Sequence, residues 1–258
     1  MYKTILLPVD SSPFSQSAAQ YALEFSRRLG AGVRLLAVKD SRVINAGYWQ
    51  DFGALTLPTL RMDGELDRFF EQRARDLITH YGSVIPGAEG EVADGLPERV
   101  ILDHARRADL VILGAAGEAA EDDNPGRLHL GRTVERVLRR AERPVLLAPR
   151  EVVPLDRITV IYAAAPGDAR ALSVAADLAR LLEIDIDMVA TGNDVEAAAN
   201  EGHGYLTAQG LMADFENVNE ITNLEALEVP PHTLLCCAWN ESQVETLLNF
   251  GQPVLVVR

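Results

Sequence analysis

No apolar run in this 258-residue sequence approaches the roughly 18 residues that a membrane-spanning helix needs, so no span is expected. Cysteine is scarce. Cys236 and Cys237 are adjacent inside an apolar run, which suits a reduced, buried strand and excludes a disulfide framework. Basic residues are nearly missing from the second half. Residues 151–258 hold 4 Lys+Arg against 17 Asp+Glu, a net of −13, and residues 1–150 hold 20 against 21, a net of −1. A field of that sign repels nucleic acid and anionic membranes, and it makes the second half a poor holder of polyphosphate. Any anion site is therefore expected in the first half. Several motifs are also lacking. There is no G-x-x-x-x-G-K-[ST], no G-x-G-x-x-G after the first strand and no G-x-S-x-G, which argues against a P-loop NTPase, a dinucleotide-binding dehydrogenase and an α/β-hydrolase. His80, His104, His129, His203 and His232 lack metal-ligand spacing, so no metal site and no catalytic residue is assigned. The opening Met1–Pro8 has no signal-peptide layout, and a cytoplasmic protein is expected.

What is present is an alternation of apolar runs and helical periodicity. Thr4–Asp10 and Ile158–Ala164 are apolar runs of the kind buried on both faces of a parallel sheet. Each leads through a turn with proline, Pro13 or Pro166, into a helix. In the first helix Ala18, Ala22, Phe25 and Leu29 recur at helical spacing and Gly30 stops it; in the second, Leu172, Ala175, Ala176, Ala179 and Leu182 recur. Strands Val33–Val38 and Ile184–Ala190 follow. The halves end alike, in Arg143–Ala148 and Gln252–Val257. In the first half the pattern adds a helix over Leu66, Phe69, Phe70, Leu77 and Ile78. A weak strand near Glu89–Ala93 comes next, then a short helix with Val100, Ile101 and Ala105, strand Asp109–Leu113, helix Thr133–Glu142 and strand Val145–Ala148.

This order predicts an α/β fold of two tandem, doubly wound, mostly parallel five-stranded sheets, Rossmann-like, with domains at 1–150 and 151–258. In the second half the middle, 193–228, is polar and its third strand is not placed. Gly202–Tyr205 reads as a turn, with a ligand contact as the other reading. The equivalent of Asp10 is expected at Ala164, and Trp239–Ser242 leaves no room for a glycine loop, so the second copy is expected to be degenerate. Ser41–Leu60, with Tyr48, Trp49 and Phe52, is apolar without periodicity; it either packs on the partner domain or another subunit, or serves as a lid over a bound base.

The segment that carries most chemistry is Gly114-Ala-Ala-Gly117, directly after a buried strand, with Gly131-Arg132-Thr133 before a helix. Positions without Cβ let backbone amides approach a ligand, and a helix start attracts anions. A phosphate cradle and a plain glycine turn are both compatible with the glycines alone. Between them lie Glu118, Glu121, Asp122 and Asp123, which either form a solvated loop tip or coordinate Mg²⁺, and Arg127 and His129, which could offset that charge.

Together these features resemble the universal stress protein family in its tandem form. The resemblance rests on Leu7-Pro-Val-Asp10, on Val38, on G-x-x-G at Gly114–Gly117 followed by Gly131, and on Arg143-Pro-Val-Leu-Leu. The spacer to Gly131 is thirteen residues rather than about nine, and Arg132 stands where the family has Ser or Thr. The resemblance implies an adenine nucleotide (ATP, or ADP or AMP), with or without Mg²⁺. Pro8 and Val9 would wall the base, Val38 would meet it through its backbone, and Asp10 would hold ribose or base. Gly114 would lie beside the ribose, and Gly117, Gly131, Arg132 and Thr133 would hold the phosphates. It further implies a stress-response regulator, at most a weak ATPase. The two domains would pair as an intramolecular pseudo-dimer through Val145–Leu147 and Val254–Val257, and such tandem units could pair further as a homodimer. A nucleotide-free interaction module acting through the acidic second half is the alternative.

Overall fold

The computed structural model describes residues 2–40, 63–117, 130–211, 224 and 227–258; Ser41–Leu60, the acidic insertion Glu118–Asp123, Arg127 and His129 lie outside them. In chain order the first half gives β1 (Thr4–Val9), α1 (Pro13–Leu29), β2 (Gly32–Asp40), α2 (Asp63–Val84), β3 (Glu89–Gly95), α3 (Pro97–Ala105), β4 (Leu110–Gly114), α4 (Arg132–Leu138) and β5 (Val145–Ala148). The second gives β6 (Arg157–Tyr162), α5 (Asp168–Leu182), β7 (Asp185–Ala190), α6 (Val195–Ala208), β8 (Thr233–Ala238), α7 (Glu241–Leu248) and β9 (Val254–Val257).

The expected α/β class is what the chain adopts, and the local signals explain the elements. The Ser12 hydroxyl caps α1 by accepting from the Ser15 amide, Pro13 occupies its first turn, and Gly30 closes it in the left-handed region at φ 64°. Ile5, Leu6 and Leu7 are all fully or almost fully buried, as a strand covered on both faces requires.

One feature differs from the pattern read in the sequence. The strands do not form two sheets. They join in one sheet, nine-stranded among the described residues, in the order β3-β2-β1-β4-β5-β9-β8-β6-β7. Every neighbouring pair is parallel except β5 and β9, which meet antiparallel with Leu146 opposite Leu255. The apolar runs Val145–Leu147 and Val254–Val256 thus pair with each other, which leaves neither as an open edge. Residues 151–258 contribute four described strands, and the expected fifth, not placed within 193–228, falls where residues 212–223, 225 and 226 lie outside the described ones. Read outward from the seam, β5-β4-β1-β2-β3 is matched by β9-β8-β6-β7.

Helices cover both faces. Residues of α1, α2, α5 and α6 pack on one face, and those of α3, α4 and α7 on the other. Gly202–Tyr205 lies inside α6 rather than in a turn. Ala198, Gly202 and Leu206 form its buried stripe, and a Cβ at Gly202 would stand 2.2 Å from Met188 Sδ, so the glycine permits close helix–sheet contact. The Tyr21 hydroxyl of α1 donates to the Val153 carbonyl (3.0 Å) and accepts from its amide (2.9 Å), which fixes the linker between the halves. Cys236 and Cys237 are buried in β8 and unbridged, and burial pushes the Cys237 thiol up to about 12, so neither is a reactive thiolate.

Candidate functional site

In the first half the chain leaves β1 to reach β2 on one side, while β4 lies on its other side. The carboxyl ends of β1 and β4 therefore flank the point where strand order reverses, the place where open α/β sheets form a ligand crevice. Asp10 is the first residue past β1. Its amide donates to Ser15 Oγ (3.0 Å), and its Oδ1 accepts from the Ser15 hydroxyl (2.6 Å) and the Ser12 amide (2.9 Å). The carboxylate is thus locked by the start of α1, with Oδ2 turned toward Gly117, where an added Cβ would stand 3.1 Å away. A Cβ at Gly131 would lie 3.6 Å from the Gly117 nitrogen and 3.7 Å from Ala116 Cα. Asp10, Gly117 and Gly131 converge although 121 positions separate the first from the last.

Gly131 is the N-cap of α4 and has no side chain to satisfy the first-turn amides. Arg132, exposed, and Thr133, half-buried, open that helix, and Arg132 makes no ion pair among the described residues. Gly114 has a separate role. A Cβ there would stand 2.6 Å from Phe14 Cβ and 3.0 Å from the Phe14 carbonyl carbon, so this glycine lets α1 pack against the end of β4. Pro8 and Val9 are buried; Val9 pairs with Ala37, and Val38, half-buried, is the next residue of β2, opposite Ala93.

Sequence reasoning missed the surroundings. The Tyr81 hydroxyl of α2 donates to the Asp10 carbonyl (3.1 Å); burial, and then the charge of Asp10, push its pKa up to about 12, so it stays a neutral donor. Arg73 Nη2 donates to Ser11 Oγ (2.7 Å). Lys39, 7% exposed, follows Val38 and is held by Asp94 (2.8 Å), Glu71 (2.9 Å) and Asp67 (3.2 Å). Hydrogen bonds to Asp94 and Glu71 hold its ammonium well above the usual lysine range, and Lys39 and Arg75 lower the Glu71 pKa. A buried lysine with three carboxylate partners from two elements was not legible because α2 and β3 are distant in sequence.

Lys39→Met is expected to leave three carboxylates without their cation and to lower the denaturation midpoint modestly, because solvent screens the exposed partners. The sign of the pH dependence follows from Glu71. Its depressed pKa makes its contribution fully present above the ordinary value of 4.5 and lost as pH falls through the lowered one. The wild-type advantage over Lys39→Met therefore shrinks on acidification.

The matching turn of the second half is built differently. Counting from the strand starts, Asp10 corresponds to Ala163, one residue before the expected Ala164. The bond from the Ala163 amide to Asp168 Oδ2 (2.7 Å) spans five residues, like that from Asp10 to Ser15, and the Ala165 amide donates to the same oxygen (3.1 Å). A buried carboxylate thus occupies the backbone donors of this turn. No group of three or more His, Cys, Asp or Glu residues able to hold a metal occurs among the described residues.

Residues 1–149 match the model of the universal stress protein family, more than half of the chain. The chain belongs to the universal stress protein family. A universal stress protein from Synechocystis sp. is 25% identical over 217 residues, 78% of this chain and 75% of that one. One from Methanocaldococcus jannaschii is 27% identical over 156 residues, 58% of this chain and 84% of that one. Among solved structures, a universal stress protein from Archaeoglobus fulgidus superposes with a TM-score of 0.70 at 17% identity, over 98% of this chain and 95% of that one, which establishes the likeness of fold across both halves. No helix among the described residues of this universal stress protein is long and apolar enough to cross a membrane.

Proposed function

We propose that this universal stress protein binds an adenine nucleotide, ATP or its di- or monophosphate, in the crevice of residues 1–150 and acts as a regulator rather than as a catalyst. The observation that carries the proposal is the convergence of Asp10 with Gly117 and Gly131 at the carboxyl ends of β1 and β4. Side chains at Gly117 and Gly131 would fill the space that phosphate oxygens need to reach backbone amides, and the uncapped start of α4 adds donors of the right polarity. Arg132 and Thr133 would add a guanidinium and a hydroxyl, and Asp10 would accept from ribose or base while Pro8, Val9 and Val38 flank the base. Gly114 would contribute only its backbone beside the ribose. Mg²⁺ would neutralise phosphate charge when present.

Residues 151–258 act in this reading as a degenerate partner domain. Ala163 replaces the aspartate and the Asp168 carboxylate takes the amides that an anion would need. The antiparallel seam joins the two domains as an intramolecular pseudo-dimer. The free, buried cysteines fit a reducing cytoplasm.

The test is mass spectrometry of denatured purified protein together with a thermal shift in Mg·ATP. A co-purified adenine nucleotide is expected, and at about 100 times Kd the ligand adds about 2.7 kcal/mol of stability. That corresponds to a rise in Tm of roughly 5–10 °C for a chain of this size. Neither a bound nucleotide nor any shift at millimolar Mg·ATP would leave the alternative, a nucleotide-free module docking through its acidic half.

A further inference from the structure

The Asp10 turn is held from two directions. From the adjoining chain, the start of α1 engages its amide and one carboxylate oxygen. The amide donates to Ser15 Oγ (3.0 Å), and Oδ1 accepts from the Ser15 hydroxyl (2.6 Å) and the Ser12 amide (2.9 Å). Ser12 Oγ in turn accepts from the Ser15 amide (3.2 Å), and both serines are buried. From across the domain, the Tyr81 hydroxyl of α2 donates to the Asp10 carbonyl (3.1 Å). Among the described residues this leaves Oδ2 as the one polar atom of Asp10 without a hydrogen bond, and it faces Gly117 in the crevice.

Packing explains why the phenol arrives there. An added Cβ at Gly90 of β3 would stand 2.2 Å from Ile78 Cγ2, so this glycine lets α2 lie close on the sheet. Tyr81, one turn further along α2, is 2% exposed and shares a core cluster with Leu7 and Leu35. Its ring is packed among apolar side chains while its hydroxyl meets a polar partner, as a buried tyrosine requires. The same helix makes two further contacts with this end of the sheet. Arg73 donates to Ser11 Oγ (2.7 Å), and Asp67 and Glu71 hold Lys39, directly after Val38. The second half is connected differently. Tyr162 takes the place of Val9 at the end of β6, and its hydroxyl donates to Glu201 of α6 (2.6 Å). There the phenol belongs to the strand and reaches the helix, and the turn that follows carries Ala163 in place of the aspartate.

We infer that Tyr81 is a positioning residue for the nucleoside end of the bound nucleotide. Its hydroxyl holds the Asp10 backbone so that Oδ2 stays aimed into the crevice, where it meets a donor on the ribose or base. The inference rests on the nucleotide reading proposed above. Tyr81 acts through Asp10 and not on the phosphates.

The test is Tyr81→Phe, which removes the hydroxyl and keeps the buried ring. Wild-type and variant full chains are titrated by calorimetry with Mg·ATP and with Mg·ADP. Both dissociation constants are expected to rise about five- to tenfold in the variant, the scale of one hydrogen bond. They are expected to rise by the same factor, because the two ligands share the nucleoside and differ only in phosphate. Lowered stability alone would move the melting temperature and leave the dissociation constants unchanged. Unchanged constants in a wild type that binds ATP would overturn the inference and spare the nucleotide reading. So would a change of more than about threefold in the ratio of the ADP to the ATP constant, which would place the effect at the phosphate end. A variant that does not fold, as judged by circular dichroism, would also overturn it, since the hydroxyl would then serve the fold rather than the site. A wild type that binds neither nucleotide would sink the nucleotide reading itself and this inference with it.

Discussion

Leu255→Asp is expected to unfold most of the molecule. Leu255 and its cross-strand partner Leu146 are both 0% exposed, at the middle of the only antiparallel pairing among the described strands. Losing the leucine side chain from such a site costs about 2–5 kcal/mol, and a buried carboxylate without a partner adds several more or must take up a proton. Against a total stability of about 5–15 kcal/mol, the sum removes most of the folded population. Denaturant titration and limited proteolysis would check it. The expected result is a loss of cooperative unfolding across both halves, with cleavage between Ala148 and Arg157. Leu146→Asp should behave in the same way, since it places the charge in the same seam. A fall of less than about 2 kcal/mol would mean that β5 and β9 are not integral to the stability of the sheet.

Gly117→Val is expected to abolish the nucleotide-dependent thermal shift while leaving the fold intact. A Cβ at this position stands 3.1 Å from Asp10 Oδ2, and the two further methyl groups would extend into the crevice that Gly131 also borders. Gly117 is half-buried at the open end of the sheet, so the cost falls on the ligand rather than on the core. A weakening of about 100-fold or more corresponds to roughly 2.7 kcal/mol of lost binding energy. Gly204→Val is the control, because nothing lies within 4 Å of its added Cβ. Mg·ATP titrations of both variants would decide the matter. An unchanged shift in Gly117→Val would place the nucleotide elsewhere. Gly114→Val is a poor substitute, because its side chain would push Phe14 of α1 off the end of β4 and would mix a folding defect with a binding one.

The two variants probe different kinds of information. The seam lies in apolar runs that are visible as buried strands, yet their partner was not visible as a register. Val145–Ala148 is apolar at every position, so periodicity could not say which neighbour it meets or in which direction. The glycine loop was visible as a motif, but the meaning of each glycine was not. Gly114 and Gly117 are three residues apart, and only their neighbours separate a helix-packing role from an open position beside Asp10. Gly202-His-Gly-Tyr205 shows the opposite error. Glycine density suggested a turn, but the buried stripe of α6 overrode local propensity, since close approach to Met188 favours a residue without Cβ.

The sequence by itself determined the alternation of strands and helices, the caps that bound α1, the concentration of acidic charge in the second half, and the location of the glycine loop at the end of a buried strand. These are properties of local periodicity, of backbone freedom at glycine and proline, and of composition. Only the tertiary structure decided that two sheets become one, that Lys39 is surrounded by carboxylates from α2 and β3, and that Asp168 closes the second turn. It also decided that the Tyr81 hydroxyl of α2 reaches the Asp10 carbonyl across 71 positions of sequence. Each of these depends on which residues distant in the chain meet, and that is set by packing of whole faces rather than by any window of sequence.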